Sequence, residues 1–434
     1  DNANRAILAL TTNGGGPAHI NMFTAYSQNF SVKSFKAARK IELHTPFDES
    51  WPQLPQGRIA IFIGAHQPFS GKATKVIDNF CSVHDAVVFT SHISGYQGKY
   101  KVNYSLVSGN GGYQSDCKKI DLLIHLGEIT GNTYSVSGKE TWRVSEDGKP
   151  RDLFNNLTHV FQMPPQVFFE HYATGEGNHT EYLKACKADI DKLTSLIPEL
   201  PFGNIWMAQH MISHLPVGCE FHMGILNSMR SWNFFQLPKG IYARTNVGGY
   251  GIDGGISTMI GSSLVNPNKL FIGVFGDLAF FYDMNVLGNR EVGNNVRIML
   301  INNGMGAEFR NYGHPCYPYG PAAEKFMAAA GHYGNKSPQL VKHYAQDLGY
   351  EYLTASDKES FLKAMPKFVD PVIGDKPMVF EIFTDRQNES DALEIILNLV
   401  KPTLKQNAIK EGKKIVKKVV GESVIHSAKK LLGK

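Results

Sequence analysis

An apolar run at residues 270–275 ends in Gly276-Asp277, and a second, at residues 296–301, ends in Asn302-Asn303-Gly304-Met305-Gly306. Separated by one helix length, these runs read as the two parallel strands of a βαβ unit. A right-handed crossover brings both strand ends to the same edge of the sheet, so Asp277 and Asn303 converge where open α/β sheets bind ligands. An Asp carboxylate, an Asn side-chain oxygen and a backbone carbonyl are hard oxygen ligands that suit Mg²⁺ shared with a phosphate. Gly276 lets the backbone turn closely, and the N–H groups of Leu278 and Ala279 open a helix whose positive end can meet a diphosphate. An isolated Gly-Asp more often just caps the next helix. The paired asparagines one unit later argue for more than a cap.

The elements that must position these residues are alternating strands and helices. Strands are expected at residues 58–64, 86–90 and 120–126, with a helix near 72–81. A helical segment at 180–197 then precedes a second run, with strands at 220–225, 270–275, 296–301 and 378–383 and helices near 254–264, 279–288, 321–330 and 338–348. Alternation of this kind predicts parallel sheets covered by helices. At the start, residues 2–10 read as the end of a helix, Gly14-Gly15-Gly16-Pro17 as a turn, and residues 18–23 as a strand that needs a sheet to join.

Gly276-Asp277 followed by Asn302-Asn303 resembles the cofactor motif of the thiamine diphosphate (ThDP) enzymes of the pyruvate decarboxylase and acetolactate synthase superfamily. Flanking segments match in the right order. Leu226-Asn227-Ser228-Met229 resembles the segment that approaches the diphosphate, Gly251-Ile252-Asp253-Gly254 the one that packs under the cofactor, and Gly16-Pro17-Ala18-His19-Ile20-Asn21 the strand that closes the pyrimidine-binding domain. The resemblance spans nearly everything from Asn2 to about Asp391. It implies a remnant of the pyrimidine-binding domain at 1–30, a Rossmann-like middle domain at 38–195, a ThDP-binding α/β domain with a mostly parallel sheet at 196–400, and a basic amphipathic tail at 401–434.

By the same resemblance Asp277, Asn303 and the Met305 carbonyl hold Mg²⁺. Asn227, Ser228, Gly276 and the amides of Leu278 and Ala279 adjoin the diphosphate, Ile252 bends the cofactor, and the Tyr250 carbonyl accepts from its amino group. Leu278 and Ala279 depart from the usual Gly and Ser, which removes one hydroxyl contact to phosphate. The run 276–285, together with Trp142-Arg143-Val144 and Asp147-Gly148, is similar to the menaquinone-pathway succinyl-enolpyruvyl-hydroxycyclohexene-carboxylate synthase, although Val247 stands where those enzymes carry an arginine for a substrate carboxylate. Arg230, Glu308, Phe309 and Arg310 are the substrate-side candidates. The implied activity is decarboxylation of a 2-oxo acid with carboligation to an acceptor; simple decarboxylation and a non-catalytic cofactor-binding subunit are the alternatives. The family's activating glutamate has no counterpart here, so the expectation is a longer natural polypeptide or a separate pyrimidine-domain chain, working as a homodimer or homotetramer.

Composition narrows the class. Ten lysines and two glutamates in 401–434 carry +8, leaving −3 on the rest of a chain with net charge +5. A nucleic-acid partner needs basic groups spread over a face of the fold, so none is expected. Five scattered cysteines without a CxxC pair predict reduced, buried thiols. No signal peptide or apolar run of membrane-spanning length is visible, which predicts a cytoplasmic protein. Apolar stripes in the tail predict a docked or frayed end, or a peripheral contact with anionic membrane. Two other sets were weighed: His210, His214, Cys219 and His222 as a zinc site, and Gly64-Ala65-His66-Gln67-Pro68 as a poor dinucleotide fingerprint.

Overall fold

The computed structural model describes residues 2–22, 39–128, 136–249, 251–326 and 337–401. Tyr250, the end of the 321–330 helix, Phe23 and the tail from 402 onward lie outside the described residues.

Two parallel sheets organise the chain. The first contains β1 (Glu42–His44), β2 (Ile59–Ile63), β3 (Val87–Thr90), β4 (Lys101–Val102), β5 (Ile120–Leu126), β6 (Gly138–Val144) and β7 (Leu157–Phe161), in the order β1-β7-β6-β5-β2-β3-β4. The second contains β8 (Glu220–Met223), β9 (Tyr242–Arg244), β10 (Phe271–Gly276), β11 (Val296–Asn302), β12 (Glu351–Ala355) and β13 (Met378–Phe383), in the order β12-β13-β11-β10-β8-β9. Every ladder is parallel, and the antiparallel bridge Ala65–Glu128 stands apart from them. All five residues of β2 and all seven of β11 are buried, as expected of strands covered on both faces.

The helices are α1 (Asn2–Ala9), α2 (Gly71–His84), α3 (Ser105–Gly109), α4 (Pro165–Tyr172), α5 (Glu181–Thr194), α6 (Asn204–Met211), α7 (Asn227–Asn233), α8 (Gly255–Val265), α9 (Asp277–Asp283), α10 (Leu340–Asp347), α11 (Lys358–Phe368) and α12 (Arg386–Leu397). Side-chain caps set several of the starts: Ser70 accepts from the Ala73 amide ahead of α2, and Asp385 from the Gln387 amide ahead of α12. Arg297 sits inside β11 without breaking it, because its guanidinium donates to the carbonyls of Phe368 (2.8 Å), the last residue of α11, and Val372 (2.6 Å) in the loop after it.

Three expectations are corrected. Residues 18–22 of the expected 18–23 strand form no strand: no ladder partner lies beside them among the described residues, and a strand without a neighbour leaves its N–H and C=O groups unpaired. Helix α9 begins at Asp277, two residues before the predicted start, and its last predicted turns are a 3₁₀ segment, Met284–Gly288. Pro321 lies in a 3₁₀ stretch, Tyr317–Phe326, that is kinked at Gly320, where φ is +55°. Strands β6 and β7 were not anticipated, because GKETWRV and LTHVF mix polar and apolar residues without a clear run of either. Helix α1 does form, and Leu8 packs on Ile41, Leu157 and Val160 at the β1 and β7 edge.

No described helix is long and apolar enough to cross a membrane. All five cysteines are free thiols, four of them buried and Cys316 half-buried.

Candidate functional site

In the second sheet the chain leaves β8 towards β9 on one side and returns as β10 on the other. The strand order therefore reverses between β8 and β10, and the carboxyl ends of those strands open a crevice. A cavity of about 300 Å³ occupies it, walled by Gly224 to Ser228 after β8, Ile252 before α8, Gly276 to Ala279 after β10, and Asn303 and Met305 to Phe309 after β11. A larger cavity of about 910 Å³ lies between the ends of β2, β5 and β6 and residues of β8, β9 and α8, so size alone does not select the site.

Asp277 is almost fully buried, at 2% exposure. One carboxylate oxygen accepts from the Leu278 amide at 2.8 Å and the other from the Gly304 amide at 2.6 Å. These two contacts fix the carboxylate between the turns after β10 and β11. The Leu278 amide, expected to face a diphosphate, is therefore used by the aspartate in this structure. Asn303 turns back on its own loop, accepting from the Met305 amide at 3.2 Å, and Gly304 holds φ +80°, a left-handed conformation that favours glycine. The two asparagines part company. Strand alternation sends Asn302 away from the cavity, where it donates to Glu381 at 2.8 Å.

Across the crevice, Leu226 has φ +64° and ψ −109°, a backbone conformation that is costly for a branched residue. It turns the chain from β8 directly into α7, so that Asn227 and Ser228 form the first turn facing the cavity. Ile252 is held through the start of α8: Asn246 donates to the Gly254 carbonyl at 3.0 Å, and Asp283 accepts from the Ser257 amide at 2.7 Å.

The substrate-side candidates divide. Glu308 and Phe309 line the cavity; Arg230 and Arg310 do not. Arg230 is buried behind the wall and donates to Glu308 at 2.6 Å, so it orients that carboxylate. Val247 is buried in the core.

Sequence reasoning missed Asn204 and Glu389. Asn204, at the start of α6, lines the cavity and donates to Ser228 at 3.3 Å. Its backbone amide donates to both Glu389 oxygens at 3.1 Å, and Asn227 lies 3.5 Å from the same carboxylate. Burial raises the Glu389 pKa to about 7 against its hydrogen bonds, with a further push from Asp277. Only an unexpectedly polar Arg-Gln-Asn-Glu-Ser stretch opening α12 hints at this in the sequence. A raised folded pKa means that the stability associated with this group is full below about pH 4.5 and is lost as pH rises through about 7. The loss amounts to roughly 3 kcal/mol. The difference in unfolding free energy between Glu389→Gln and the parent should therefore grow in the variant's favour from pH 4.5 to 7. A flat difference in urea melts across that range would count against the assignment.

The four residues considered as a zinc site, His210, His214, Cys219 and His222, are not gathered among the described residues. His210 stacks on Trp206 at 4.0 Å, His214 is exposed in a 3₁₀ turn that breaks the helical spacing, and His222 is buried on β8.

No family model matches the chain. Among curated proteins it is 32% identical over 258 residues to the 2-succinyl-5-enolpyruvyl-6-hydroxy-3-cyclohexene-1-carboxylate synthase of Bacteroides fragilis, covering 59% of this chain and 44% of that protein. To the synthase of the same name from Bacteroides thetaiotaomicron it is 32% identical over 259 residues, with the same coverage. To that of Phocaeicola vulgatus it is 28% identical over 407 residues, 90% of this chain and 71% of that one. These similarities support the resemblance to the thiamine diphosphate-dependent decarboxylases and carboligases. The chain spans 44% of the length of the first of those synthases. The superfamily's motif segments at 226–229, 251–254, 276–279 and 302–306 all reach the crevice between β8, β10 and β11, with Tyr250 outside the described residues.

The residues present fit a diphosphate with a divalent cation. A buried carboxylate, an amide side chain and the Met305 turn meet at one rim, and two polar side chains opening α7 face them across a cavity wide enough for a phosphate chain.

Proposed function

We propose that this chain binds thiamine diphosphate and Mg²⁺ at the crevice between β8, β10 and β11, and takes part in decarboxylation of a 2-oxo acid with transfer of the acyl unit to an acceptor. The observation that carries this reading is the convergence of Asp277, Asn303, Asn227, Ser228 and Ile252 on one cavity. Asp277, Asn303 and the Met305 carbonyl would hold the cation, while Asn227, Ser228 and the Ala279 amide would hold the diphosphate. When bound, the cofactor supplies the carbon nucleophile for the 2-oxo group and takes up the electron pair left by CO₂.

The chain's own contribution is binding, orientation and exclusion of water. Ile252 would support the cofactor from the α8 side. Glu308, oriented by Arg230, and Phe309 would form the substrate wall, the carboxylate offering an acceptor for a substrate hydroxyl or a position for a proton. Val247 offers no cation for a substrate carboxylate, which supports donor or acceptor acids different from those of the relatives named above. The separate sheets support a division near residue 195 into a middle domain and a cofactor domain.

Calorimetric titration with thiamine diphosphate should show binding only when Mg²⁺ is present. Incubation of the loaded protein, together with a polypeptide that supplies the pyrimidine-binding domain, with 2-oxoglutarate or pyruvate and with or without an acceptor acid should then separate carboligation from aldehyde release. Thiamine diphosphate binding of equal strength with and without Mg²⁺ would reject the metal-bridged site.

A further inference from the structure

At the far edge of the first sheet, strand β1 is only three residues long. Glu42 and His44 are two apart and therefore share a face. In the parallel ladder with β7, Glu42 is the partner of His159, which brings all three side chains to one spot. Their ligand atoms lie within 4.8 Å of one another. The facing nitrogens, His44 Nε2 and His159 Nδ1, are 2.9 Å apart.

The outward nitrogen of each ring faces a carboxylate. His44 Nδ1 is 3.5 Å from Asp48, and His159 Nε2 is 3.8 Å from Glu140, which is itself held by the Trp142 indole N–H at 2.7 Å. This is the pattern found around metal-bound histidines, whose second N–H is directed at a carboxylate that fixes the tautomer. Aromatic walls restrict both rings: His44 stacks on Phe161 at 4.9 Å and His159 meets Trp142 edge-on at 5.1 Å. Burial also lowers the His159 pKa, favouring the neutral ligand form. None of these residues lines the cofactor crevice.

We propose that Glu42, His44 and His159 form a binding site for a divalent transition metal of the zinc class, with water in the fourth position. Two nitrogens on a tetrahedral zinc lie about 3.3 Å apart, so the rings need open by only about 0.4 Å. The proton now shared between the facing nitrogens moves to an outward nitrogen, so that Asp48 and Glu140 each receive one N–H and both imidazoles stay neutral. Lys40, which donates to Glu42 at 2.8 Å through a largely exposed side chain, gives way to the metal. The ion ties the short edge strand to β7, so that binding and local folding are coupled.

The test uses the full-length protein in excess thiamine diphosphate and Mg²⁺, titrated with Zn²⁺ by calorimetry and with Co²⁺ by visible absorption. One equivalent should bind with micromolar or tighter affinity, and Co²⁺ should show the intense bands of a four-coordinate site. His44→Ala or His159→Ala should abolish that equivalent, Asp48→Asn should weaken it by about tenfold, and Asp277→Ala should leave it in place. Melting curves of the conservative variants His44→Gln and Glu42→Gln without metal control for folding. Absence of the equivalent, or equal binding by a His44→Ala/His159→Ala double variant, overturns the proposal and leaves a hydrogen-bonded histidine pair.

Discussion

Replacing Asp277 by Ala is expected to abolish the thermal stabilisation that thiamine diphosphate and Mg²⁺ confer on the parent protein. A ligand present at 100 times its dissociation constant stabilises the native state by about 2.7 kcal/mol, a shift of several degrees in melting temperature. Asp277 supplies the one anionic side chain in the proposed cation set and is buried at the end of β10. The same substitution strips the acceptor from the Leu278 and Gly304 amides, at a cost of about 1–3 kcal/mol for each amide left unsatisfied. Asp277→Ala should therefore melt lower even without ligand, and the informative quantity is the ligand-induced shift. Asp277→Asn removes the charge while keeping one oxygen as an acceptor, and should lose most of the shift with a smaller change in intrinsic stability. A full shift in either variant, measured by differential scanning fluorimetry, would remove Asp277 from the metal site.

Acid should unfold this protein through three buried histidines. Burial lowers the pKa of His92 to about 4 and those of His125 and His222 to about 3, with Arg143 and Arg244 adding repulsion at the latter two. Each is neutral in the fold, whereas the unfolded chain takes up a proton near pH 6.5. Their stabilising effect is thus complete above about pH 6.5 and is lost as pH falls towards 4 and 3. The full loss is roughly 3 kcal/mol for His92 and roughly 5 kcal/mol for each of the other two. Glu389 acts in the opposite sense, gaining roughly 3 kcal/mol between pH 7 and 4.5, but this does not match the histidines. The combined loss is comparable to the whole stability of a typical domain, so cooperative unfolding is expected at about pH 4–5. His222 is the cleanest probe, because its buried Nε2 has no hydrogen-bond partner. His222→Leu should lower the acid midpoint by about half a pH unit. Native circular dichroism retained at pH 3 by the parent would contradict the argument.

The candidate crevice was legible in the sequence because its parts are local. Gly276-Asp277 and Asn303 to Gly306 each follow a buried apolar strand, and β10 and β11 pair in register from Phe271↔Val296 to Gly276↔Ile301. Parallel pairing of consecutive strands places their ends together, so a motif at each end is a statement about one site. The segments at 226–229 and 251–254 were located by resemblance, and their arrival at the same cavity depends on β8 lying next to β10.

By itself the sequence determined the alternation of apolar strands and helices, the parallel character of both sheets and the strand-end motifs, since these follow from side-chain periodicity and from turn residues acting within a few positions. Tertiary structure alone decided which neighbouring groups those motifs meet. It buried Glu389 beside Asn204 and Asn227 across 185 and 162 residues of chain, placed Arg230 behind Glu308 and outside the cavity, and sent Asn302 to Glu381 while Asn303 faced the site. It also brought Glu42 and His44 against His159, through strands whose mixed composition concealed β7 from any periodic reading. The physical reason is that periodicity specifies which face of an element is apolar, whereas the partners of a polar side chain are set by sheet order and register, which arise from contacts between segments far apart in the chain.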